Sequence, residues 1–280
     1  MILLDGKELS SSIKEELKTT IRKHIIKPCL AVIQIGDDEA SNIYIKAKDK
    51  ACEEVGIYFK HIKFDENVSE REIVNKILEL NNDDYVDGIL IQLPFPERLD
   101  ENKFINLISK SKDVDGLTDI NSGKVLKNIP NLVPCTPLGI ITLLKKYDIS
   151  FEGKHVVIVG RSNLVGKPLA MLLLNESATV TICHSKTTDL SKYTKEADIL
   201  ISATGVKHLI KEDMVKDNAI VIDVGITRDN GKLYGDVDYE FVSKKCSYIT
   251  PVPGGVGPMT VAMLLSNVVK NYEIKHSNEI

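Results

Sequence analysis

Short apolar runs alternate along the chain with stretches whose apolar residues recur at helical spacing. Six of the runs predict strands: Leu30 to Ile35, Gly88 to Gln92, His155 to Val159, Thr179 to Cys183, Ile199 to Ala203 and Ala219 to Val224. Strands that alternate with helices are joined by right-handed crossovers, which favours parallel sheets covered by helices. The pattern therefore predicts an α/β protein of the doubly wound class.

A turn-rich stretch from Lys110 to Pro137 separates two regions of this alternating pattern. The chain of 280 residues is long enough for two domains of ordinary size. We expect a first domain over residues 1–120 and a second over residues 121–280. A last helical pattern, Met259 to Val269, follows the Gly- and Pro-rich segment Pro251 to Pro258. We expect the helix of about residues 260–280 to pack back on the first domain.

Charge and hydropathy narrow the kinds of partner. The 36 basic and 40 acidic residues are interspersed and give a net charge of -4, so no basic face for nucleic acid is predicted. No apolar run reaches the roughly 18 residues that a membrane helix needs. The start, Met1 to Gly6, lacks the basic flank and the length of a signal peptide. We expect a cytoplasmic protein that binds small molecules.

The cysteines are scattered and contain no C-x-x-C pair. There are five of them: Cys29, Cys52, Cys135, Cys183 and Cys246. This spacing argues against a disulfide framework and against a zinc ribbon. We therefore predict buried, reduced thiols and no metal site.

A strand, a tight turn and a helix start are predicted over His155 to Pro168. Backbone N–H groups and the helix dipole at such a turn bind the pyrophosphate of a dinucleotide. The usual G-x-G-x-x-G spacing is broken, because Ser162 replaces the second glycine and Gly166 falls one residue late. The alternative is a tight connection without any ligand, since Gly160 and Gly166 by themselves only permit the turn.

The following predicted strand ends where an NAD enzyme usually places an acid on the ribose. Here the strand is followed by His184 to Thr187, which supplies hydrogen-bond donors, and Arg161 lies in the first turn. Donors and a guanidinium suit an added phosphate, so NADP is predicted over NAD. Strand carboxyl ends bind ligands in this class of fold, which adds a position after the last predicted strand. The candidate cofactor residues are Gly160, Arg161, Ser162, Ser185 and Ile226.

One lysine stands on an unusual helix face. The stretch Ser41 to Val55 predicts a helix with Ser41 as a possible N-cap, and Tyr44, Lys48 and Cys52 share one face. A lysine removed from water loses affinity for its proton and becomes useful for acid/base chemistry near neutrality. The alternative is a side chain whose stem covers apolar surface while its ammonium reaches water.

Several ordered motifs carry a resemblance to a known family. They are Tyr44-x-x-x-Lys48, Gly88 to Pro96, Lys112 to Gly116, Pro134 to Pro137, Gly160 to Ser162 and Pro251 to Pro258. In content and order they resemble the bifunctional methylenetetrahydrofolate dehydrogenase/cyclohydrolase family. The resemblance extends from about Ser41 to about Val269 and so covers most of the chain.

The resemblance implies two α/β domains that flank a cleft, with a Rossmann-like doubly wound parallel sheet in the C-terminal domain. It implies a homodimer formed through the nucleotide domains. The expected activity is the NADP-dependent oxidation of 5,10-methylenetetrahydrofolate, followed by hydrolysis of the methenyl product to 10-formyltetrahydrofolate. Tetrahydrofolate derivatives are the expected partners.

The same resemblance assigns roles to four catalytic-site residues. Lys48 matches the catalytic lysine and Gln92 the glutamine that hydrogen-bonds it. Tyr44 matches the tyrosine that stacks on the folate ring, and Asp115 the carboxylate that binds the pterin edge. Tyr44, Gln92 and Asp115 are thus also substrate-binding candidates, and further substrate-binding positions are Pro253, Gly254 and Gly255.

Two other functions stay open on the residues. The chain is alternatively an NAD(P)-linked dehydrogenase of another small substrate, such as a shikimate-like hydroxy acid, with Lys48 as acid/base. That reading leaves Gln92 and the Pro253 to Gly257 segment without a role. A silent folate or nucleotide sensor is the other alternative, but a sensor has no chemical need of Lys48.

Overall fold

The computed structural model describes residues 1–276. Its strands are β1 (Ile2–Leu3), β2 (Cys29–Ile35), β3 (Tyr58–Phe64), β4 (Gly88–Ile91), β5 (His155–Val159), β6 (Thr179–Cys183), β7 (Ile199–Ser202), β8 (Ile220–Asp223), β9 (Thr227–Asp229), β10 (Lys232–Tyr234) and β11 (Tyr248–Ile249). Its α-helices are α1 (Gly6–Ile21), α2 (Glu39–Val55), α3 (Glu70–Asn82), α4 (Glu101–Ile105), α5 (Asp119–Leu126), α6 (Cys135–Lys146), α7 (Gly166–Asn175), α8 (Leu190–Thr194), α9 (Tyr239–Val242) and α10 (Val256–His276). A short 3₁₀ helix covers Glu212–Met214.

The chain divides into two compact units, each built from two stretches of sequence. The three-stranded unit consists of Ser11–Cys135 and Val261–Ile280, and the six-stranded unit of Met1–Ser10 and Thr136–Thr260. The sequence placed a boundary at 120/121, whereas the units change at 135/136 and the first ten residues belong with the later stretch. Residues 277–280 of the helix expected over 260–280 lie outside the described residues.

The three-stranded unit contains a parallel sheet in the order β3-β2-β4. All residues of β2 are buried, and they pair with both neighbours, Leu30 with Phe59 and with Gly88. The edge strand β3 alternates exposed and half-buried residues instead. Its sequence therefore lacks the continuous apolar run that marks the central strand, and the strand was missed in the sequence.

Helix α2 carries the candidate lysine and is fixed at both ends. Asp38 is the N-cap, and its carboxylate accepts a hydrogen bond from the Ser41 N–H at 2.7 Å. The expectation that Ser41 is the N-cap is wrong, because the helix begins two residues earlier and Ser41 is buried within its first turn. Gly56 closes the helix in a left-handed conformation and donates its N–H to the Cys52 carbonyl.

The six-stranded unit contains a sheet in the order β1-β11-β8-β7-β5-β6, parallel at every pairing. Strand β5 pairs with β6 on one side and with β7 on the other, so the strand order reverses at β5. Open α/β sheets bind ligands beyond the carboxyl ends of the strands at such a reversal. The α/β class and the parallel sheets predicted from the sequence are confirmed.

Helix α10 is longer than its predicted apolar pattern, and two asparagines on it bind loop backbone of the three-stranded unit. The Asn267 amide donates to the carbonyls of Val114 at 2.8 Å and Val133 at 3.1 Å. One turn later, the Asn271 amide donates to the Asp87 carbonyl at 2.7 Å. These buried amides fix the loop that carries Asp115. Of the helices in residues 1–276, none combines the length and the apolar character required to traverse a lipid bilayer.

Candidate active site

The lysine predicted to be catalytic contacts the predicted glutamine. The Lys48 ammonium donates a hydrogen bond of 2.7 Å to Gln92 Oε1. Gln92 follows β4 and is 8% exposed, and its own amide donates to the Leu93 carbonyl at 2.8 Å. Because that second bond orients the amide group, the oxygen of Gln92 faces the lysine. The structure thus brings together two residues that are 44 positions apart in the sequence.

The environment of Lys48 changes the protonation equilibria of this site. Burial lowers the pKa of the Lys48 ammonium below its usual range, and the nearby carboxylate of Asp115 opposes that shift. Burial raises the pKa of the Asp115 carboxyl, and the positive charge of Lys48 opposes that shift in turn. Each charge thus limits the shift that burial imposes on the other group. A half-buried lysine whose pKa is lowered in this way is suited to general acid/base chemistry.

The loop that holds Asp115 is built around a second, structural aspartate. Asp113 is 1% exposed, and its carboxylate accepts hydrogen bonds from the N–H groups of Leu117 at 3.1 Å and Thr118 at 2.9 Å. The Asn121 side chain donates to the same carboxylate at 2.8 Å. Three donors on one buried carboxylate fix the backbone on both sides of Asp115. The carboxylate of Asp113 is occupied by these contacts within the loop, whereas Asp115 is half-buried.

Cys135 is a site residue that the sequence did not single out. Its thiol is 2% exposed, and it hydrogen-bonds the Asp115 carboxylate and the Val114 carbonyl, the latter at 3.4 Å. Burial and the negative charge of Asp115 raise the pKa of this thiol well above its usual range. The thiol is therefore a hydrogen-bond donor rather than a nucleophile. The sequence feature that could have identified Cys135 is its position within the motif Pro134 to Pro137.

Tyr44 lies one helical turn before Lys48 on α2 and is 46% exposed. A large exposed aromatic ring beside a buried lysine offers a flat surface to a ring-shaped ligand. Cys52, one turn after Lys48, is fully buried, as expected for the shared face. Lys46 and Lys50 are exposed on the other side of the helix. The predicted division between a chemical face and a solvated face of α2 is therefore present.

A cavity of about 490 Å³ lies in the six-stranded unit at the carboxyl ends of β5, β6 and β7. Its lining includes four of the five predicted cofactor residues: Gly160, Arg161, Ser162 and Ser185. The fifth, Ile226, follows β8 at the same edge of the sheet and is 42% exposed. Within residues 1–276, Ile226 is not part of the cavity lining. This cavity is called the nucleotide pocket below.

The turn after β5 leaves no space for a side chain at its first residue. Gly160 has a φ of 133°, and a Cβ there would lie 2.5 Å from the Ala203 carbonyl oxygen. Ser162 then accepts a hydrogen bond from the Val165 N–H at 3.1 Å, just before α7 begins. The backbone of the turn can thus approach a ligand closely, and the N-terminus of α7 points into the same region.

The far side of the nucleotide pocket is a turn with polar groups. The His184 N–H donates to Thr187 Oγ1 at 2.8 Å, and the Lys186 N–H donates to His184 Nδ1 at 3.1 Å. Ser185 and Arg161 are both exposed. A guanidinium, a hydroxyl and a compact polar turn match the hydrogen-bonding needs of a phosphate, so the residues present fit an NADP molecule.

The segment predicted as a backbone wall belongs to the six-stranded unit. The Gly254 carbonyl accepts a hydrogen bond from the Lys7 N–H at 2.9 Å, and the Gly255 N–H donates to the Pro251 carbonyl at 2.9 Å. The Val252–Pro253 peptide bond is cis, as is Leu93–Pro94. Pro253 is exposed and Gly254 half-buried, so this backbone is accessible to a ligand.

Comparisons with known families cover nearly the whole chain. Residues 4–115 match "Tetrahydrofolate dehydrogenase/cyclohydrolase, catalytic domain". Residues 134–276 match "Tetrahydrofolate dehydrogenase/cyclohydrolase, NAD(P)-binding domain". The first match contains Lys48, Gln92 and Asp115, and the second contains the nucleotide pocket.

Individual relatives are similar over their full length. The chain is 52% identical over 275 residues to the bifunctional protein FolD of Campylobacter hominis, covering 97% of each chain. It resembles the crystal structure of the bifunctional enzyme FolD of Campylobacter jejuni with a TM-score of 0.96 and 52% identity, covering 100% of both chains. It also resembles the Trypanosoma brucei FolD enzyme crystallised with NADP and an inhibitor, with a TM-score of 0.93, 34% identity and 98% of each chain covered.

Proposed function

The chain belongs to the bifunctional tetrahydrofolate dehydrogenase/cyclohydrolase family, and on that premise we propose a role for each residue of the two sites described above. The protein is a methylenetetrahydrofolate dehydrogenase and methenyltetrahydrofolate cyclohydrolase of one-carbon metabolism, and NADP is its cofactor. The predicted activity and cofactor are confirmed. The alternatives of another dehydrogenase and of a silent sensor are set aside.

Lys48 is the proton-transfer residue of the cyclohydrolase step. The observation that carries this assignment is the 2.7 Å contact between Lys48 and Gln92 in a setting where burial lowers the lysine pKa. Hydrolysis adds water to the methenyl carbon and then expels a ring nitrogen. The first event releases a proton. In the second, the leaving nitrogen takes up a proton, and the hydroxyl group on the former methenyl carbon loses its proton to water as the formyl carbonyl forms. A neutral Lys48 amine accepts the first proton, and the resulting ammonium returns a proton to nitrogen.

Gln92 and Asp115 prepare the lysine and the substrate for this chemistry. The Gln92 oxygen directs the amine, because it accepts one of its hydrogens in both protonation states. Asp115 binds the amino edge of the pterin through charge-assisted hydrogen bonds. Its carboxylate also moderates the loss of basicity that burial imposes on Lys48. Tyr44 offers its exposed ring to the face of the pterin.

The dehydrogenase step places different demands on the protein. Bound NADP would supply the hydride acceptor for the methylene carbon, which two neighbouring nitrogens already activate. No strong acid or base is required, so the residues of the nucleotide pocket bind and orient rather than exchange protons. Gly160 and Ser162 hold the pyrophosphate by backbone and hydroxyl groups, and Arg161 with Ser185 binds the additional phosphate. Ile226, Pro253, Gly254 and Gly255 provide an uncharged wall beside the reacting rings.

Purified protein tests these assignments with methylenetetrahydrofolate in an ultraviolet assay. Reduced nicotinamide and the methenyl chromophore are followed together, with NADP and NAD in parallel. We expect NADPH to form while little methenyl product accumulates, because Lys48 hydrolyses that product as it arises. Accumulation of the methenyl compound in the wild-type protein would refute the role of Lys48. An equal rate with NAD would refute the phosphate site at Arg161 and Ser185.

We also propose that the protein is a homodimer formed through the six-stranded unit. Strand β6 is an edge strand within the described residues, and Ile182 on it is 37% exposed. Leu174 at the end of α7 is 55% exposed. An unprotected edge with exposed apolar side chains favours pairing with another chain. Light scattering on the eluting protein tests this, since a mass of one chain would contradict it.

The division of labour between the units is a further proposal. The three-stranded unit binds the folate and the six-stranded unit binds NADP. The support is that Lys48, Gln92 and Asp115, together called the lysine cluster below, lie within one unit, and that the nucleotide pocket lies within the other. The cytoplasm is the proposed location, supported by five widely scattered cysteines that are buried as free thiols.

A further inference from the structure

Two buried acids lie at the carboxyl edge of the six-stranded sheet, outside both sites described above. Asp223 is the last residue of β8 and is 4% exposed. Asp236 follows β10 and is fully buried. Burial of a carboxylate is unfavourable unless hydrogen bonds or a shared proton compensate for the lost water. The hydrogen bonds that the carboxylate oxygens accept therefore indicate the role of this pair.

Asp236 holds the wall of the nucleotide pocket. Its Oδ2 accepts hydrogen bonds from Ser202 Oγ at 2.8 Å, from the Thr204 N–H at 2.7 Å and from Thr204 Oγ1 at 2.8 Å. Ser202 is the last residue of β7, and Thr204 lines the nucleotide pocket. One carboxylate oxygen thus fixes the exit of β7 at the position where the pocket wall begins.

Asp223 holds the neighbouring exit, from which Ile226 projects. Its Oδ1 accepts from the Gly225 N–H at 3.1 Å and from the Asp236 N–H at 2.9 Å. Its Oδ2 accepts from the Val237 N–H at 2.9 Å. The two acids therefore connect three segments: the exit of β7, the exit of β8 and residues 235–237.

The backbone around the pair is fitted to the carboxyl groups. A Cβ on Gly225 would overlap the carboxyl group of Asp236, and a Cβ on Gly235 would overlap that of Asp223. Glycine at both positions therefore lets each acid lie against the backbone next to its partner. The arrangement is reciprocal, because each acid occupies the space beside a glycine that lies within two residues of the other acid.

One oxygen of the pair is unsatisfied. Among the described residues, none donates a hydrogen bond to Asp236 Oδ1, although the atom is buried. Burial and the charge of Asp236 raise the pKa of Asp223 to about 7. Asp223 therefore keeps its proton up to about neutral pH, and above that pH the site gains the negative charge of Asp223.

The charged groups on the surrounding segments are engaged elsewhere. After β7, Lys207 pairs with Asp229 at 2.7 Å, and the His208 ring packs on Tyr234 with 5.6 Å between centroids. Next to Val237, Asp238 pairs with Lys211 at 3.1 Å. On the β11 side, the group that meets Asp223 is the neutral hydroxyl of Thr250, which accepts the Asp223 N–H at 2.7 Å. These cations therefore leave the second negative charge of the pair uncompensated.

We propose that Asp223 and Asp236 are positioning residues for NADP, which hold the exits of β7 and β8 in their binding conformation as long as the pair retains one proton. Loss of that proton places two negative charges in one buried site, loosens the contact to Thr204 and weakens NADP binding. The inference rests on the proposed assignment of the nucleotide pocket to NADP. It makes cofactor affinity, rather than folate chemistry, the quantity that alkaline pH changes.

The test is the dissociation constant of NADP, measured by calorimetry on the full-length protein between about pH 6 and about pH 9. In the wild type, we expect a constant value below about pH 7 and a rise of about tenfold above it. Asp236→Asn keeps the oxygen that binds Ser202 and Thr204 but removes the charge. We expect that variant to bind NADP as the wild type does at low pH, without the rise at high pH.

Asp236→Ala removes the acceptor itself, so its dissociation constant should be about tenfold higher at every pH. Asp229→Asn is the matched control, because it removes the charge of a surface acid of the same hairpin region and should keep the wild-type rise. Cyclohydrolase turnover requires no NADP and reports that each variant is folded. If Asp236→Ala does not fold, the wild type and Asp236→Asn still decide the matter.

Two results would overturn the inference: a flat pH dependence in the wild type, or an unchanged rise in Asp236→Asn. Both are distinct from failure of the proposed function. If the wild type does not bind NADP at any pH, the assignment of the nucleotide pocket itself is wrong. If the wild type binds NADP and the Asp236 variants bind it with the same affinity and the same pH dependence as the wild type, only the positioning role is wrong.

Discussion

The lysine cluster and the nucleotide pocket differ in the chemical groups that they offer to a ligand. Lys48, Gln92 and Asp115 are half-buried or buried side chains that contact one another or shift one another's pKa. The nucleotide pocket offers backbone at Gly160 and the exposed side chain of Arg161. Water screens the exposed charge, whereas the buried charges interact strongly. Substitutions in the lysine cluster should therefore change the chemistry, and substitutions in the nucleotide pocket should change affinity by smaller factors.

Lys48→Met should give the largest effect. The variant keeps a long side chain but loses the group that exchanges protons, so cyclohydrolase turnover should fall by about 10² to 10⁴-fold. The dissociation constant of NADP should stay within about twofold of the wild type, because the nucleotide pocket lies in the other unit. Turnover of methenyltetrahydrofolate and calorimetry with NADP measure the two quantities.

Lys46→Met is the control for that experiment. Lys46 is exposed on the same helix, and its replacement should leave both quantities unchanged. Normal cyclohydrolase turnover in Lys48→Met would remove the lysine from the mechanism. A parallel loss of NADP affinity would show that the lysine cluster and the nucleotide pocket depend on each other, whereas the expected results assume that they are independent.

Asp115→Asn should raise the KM for the folate substrate by about tenfold or more, because a charge-assisted hydrogen bond becomes a neutral one. NADP affinity should not change. Initial rates at saturating NADP give the KM. Asp119→Asn, at the exposed start of α5, removes a similar charge from the same loop region and should have no effect. An unchanged KM in Asp115→Asn would contradict the proposed contact to the pterin.

Two replacements of Gln92, by Glu and by Leu, should shift the pH profile of cyclohydrolase turnover in opposite directions. Activity needs the neutral amine, so turnover rises as pH passes the pKa of Lys48, which burial has lowered. Gln92→Glu places a carboxylate beside the ammonium, favours the charged form and should shift this rise to higher pH by about one unit or more. Gln92→Leu removes the acceptor and should shift the rise to lower pH.

The profile is measured as turnover of methenyltetrahydrofolate in matched buffers, with the spontaneous rate subtracted. Shifts of the same sign in both variants would show that Gln92 acts through packing rather than through its contact to Lys48. The pH at which NADP binding weakens should be the same in both variants and in the wild type, since that quantity depends on the six-stranded unit.

Arg161→Ala should give the smallest effect. The affinity for NADP relative to NAD should fall by about tenfold or less, because the guanidinium is exposed and solvent screens its charge. Calorimetry with each nucleotide measures this ratio. Arg228→Ala removes an exposed arginine that does not line the nucleotide pocket and is the matched control. An unchanged ratio in Arg161→Ala would place the phosphate elsewhere.

The sequence predicted the buried strands well because continuous apolar runs such as β5 are visible without any partner. It did not predict β3, since an edge strand with one wet face interleaves Lys60, His61 and Lys63 among its apolar residues. It placed residues 1–10 in the first domain and predicted no strand there, whereas the pairing of Ile2 with Tyr248 joins β1 to a strand far along the chain. Pairing over such distances leaves no local pattern.

The site shows the same limit. Lys48, Gln92 and Asp115 were found because ordered motifs carry them, and Lys48 also because its helix face is apolar. Cys135 belongs to such a motif, but its role depends on the buried contact to Asp115, which spacing does not reveal. Asp236 has no motif of its own, and only the three donors on one oxygen identify it.

Both units are assembled from separated stretches of chain, so the order of synthesis determines when each unit can fold. A ribosome that has completed α9 has delivered neither β11, which pairs with β1 and β8, nor the asparagines of α10 that fix the loop around Asp115. Domains often fold as soon as they emerge, but here neither unit can close at that point. Nascent chains should therefore remain protease-sensitive and inactive toward folate until α10 has left the exit tunnel.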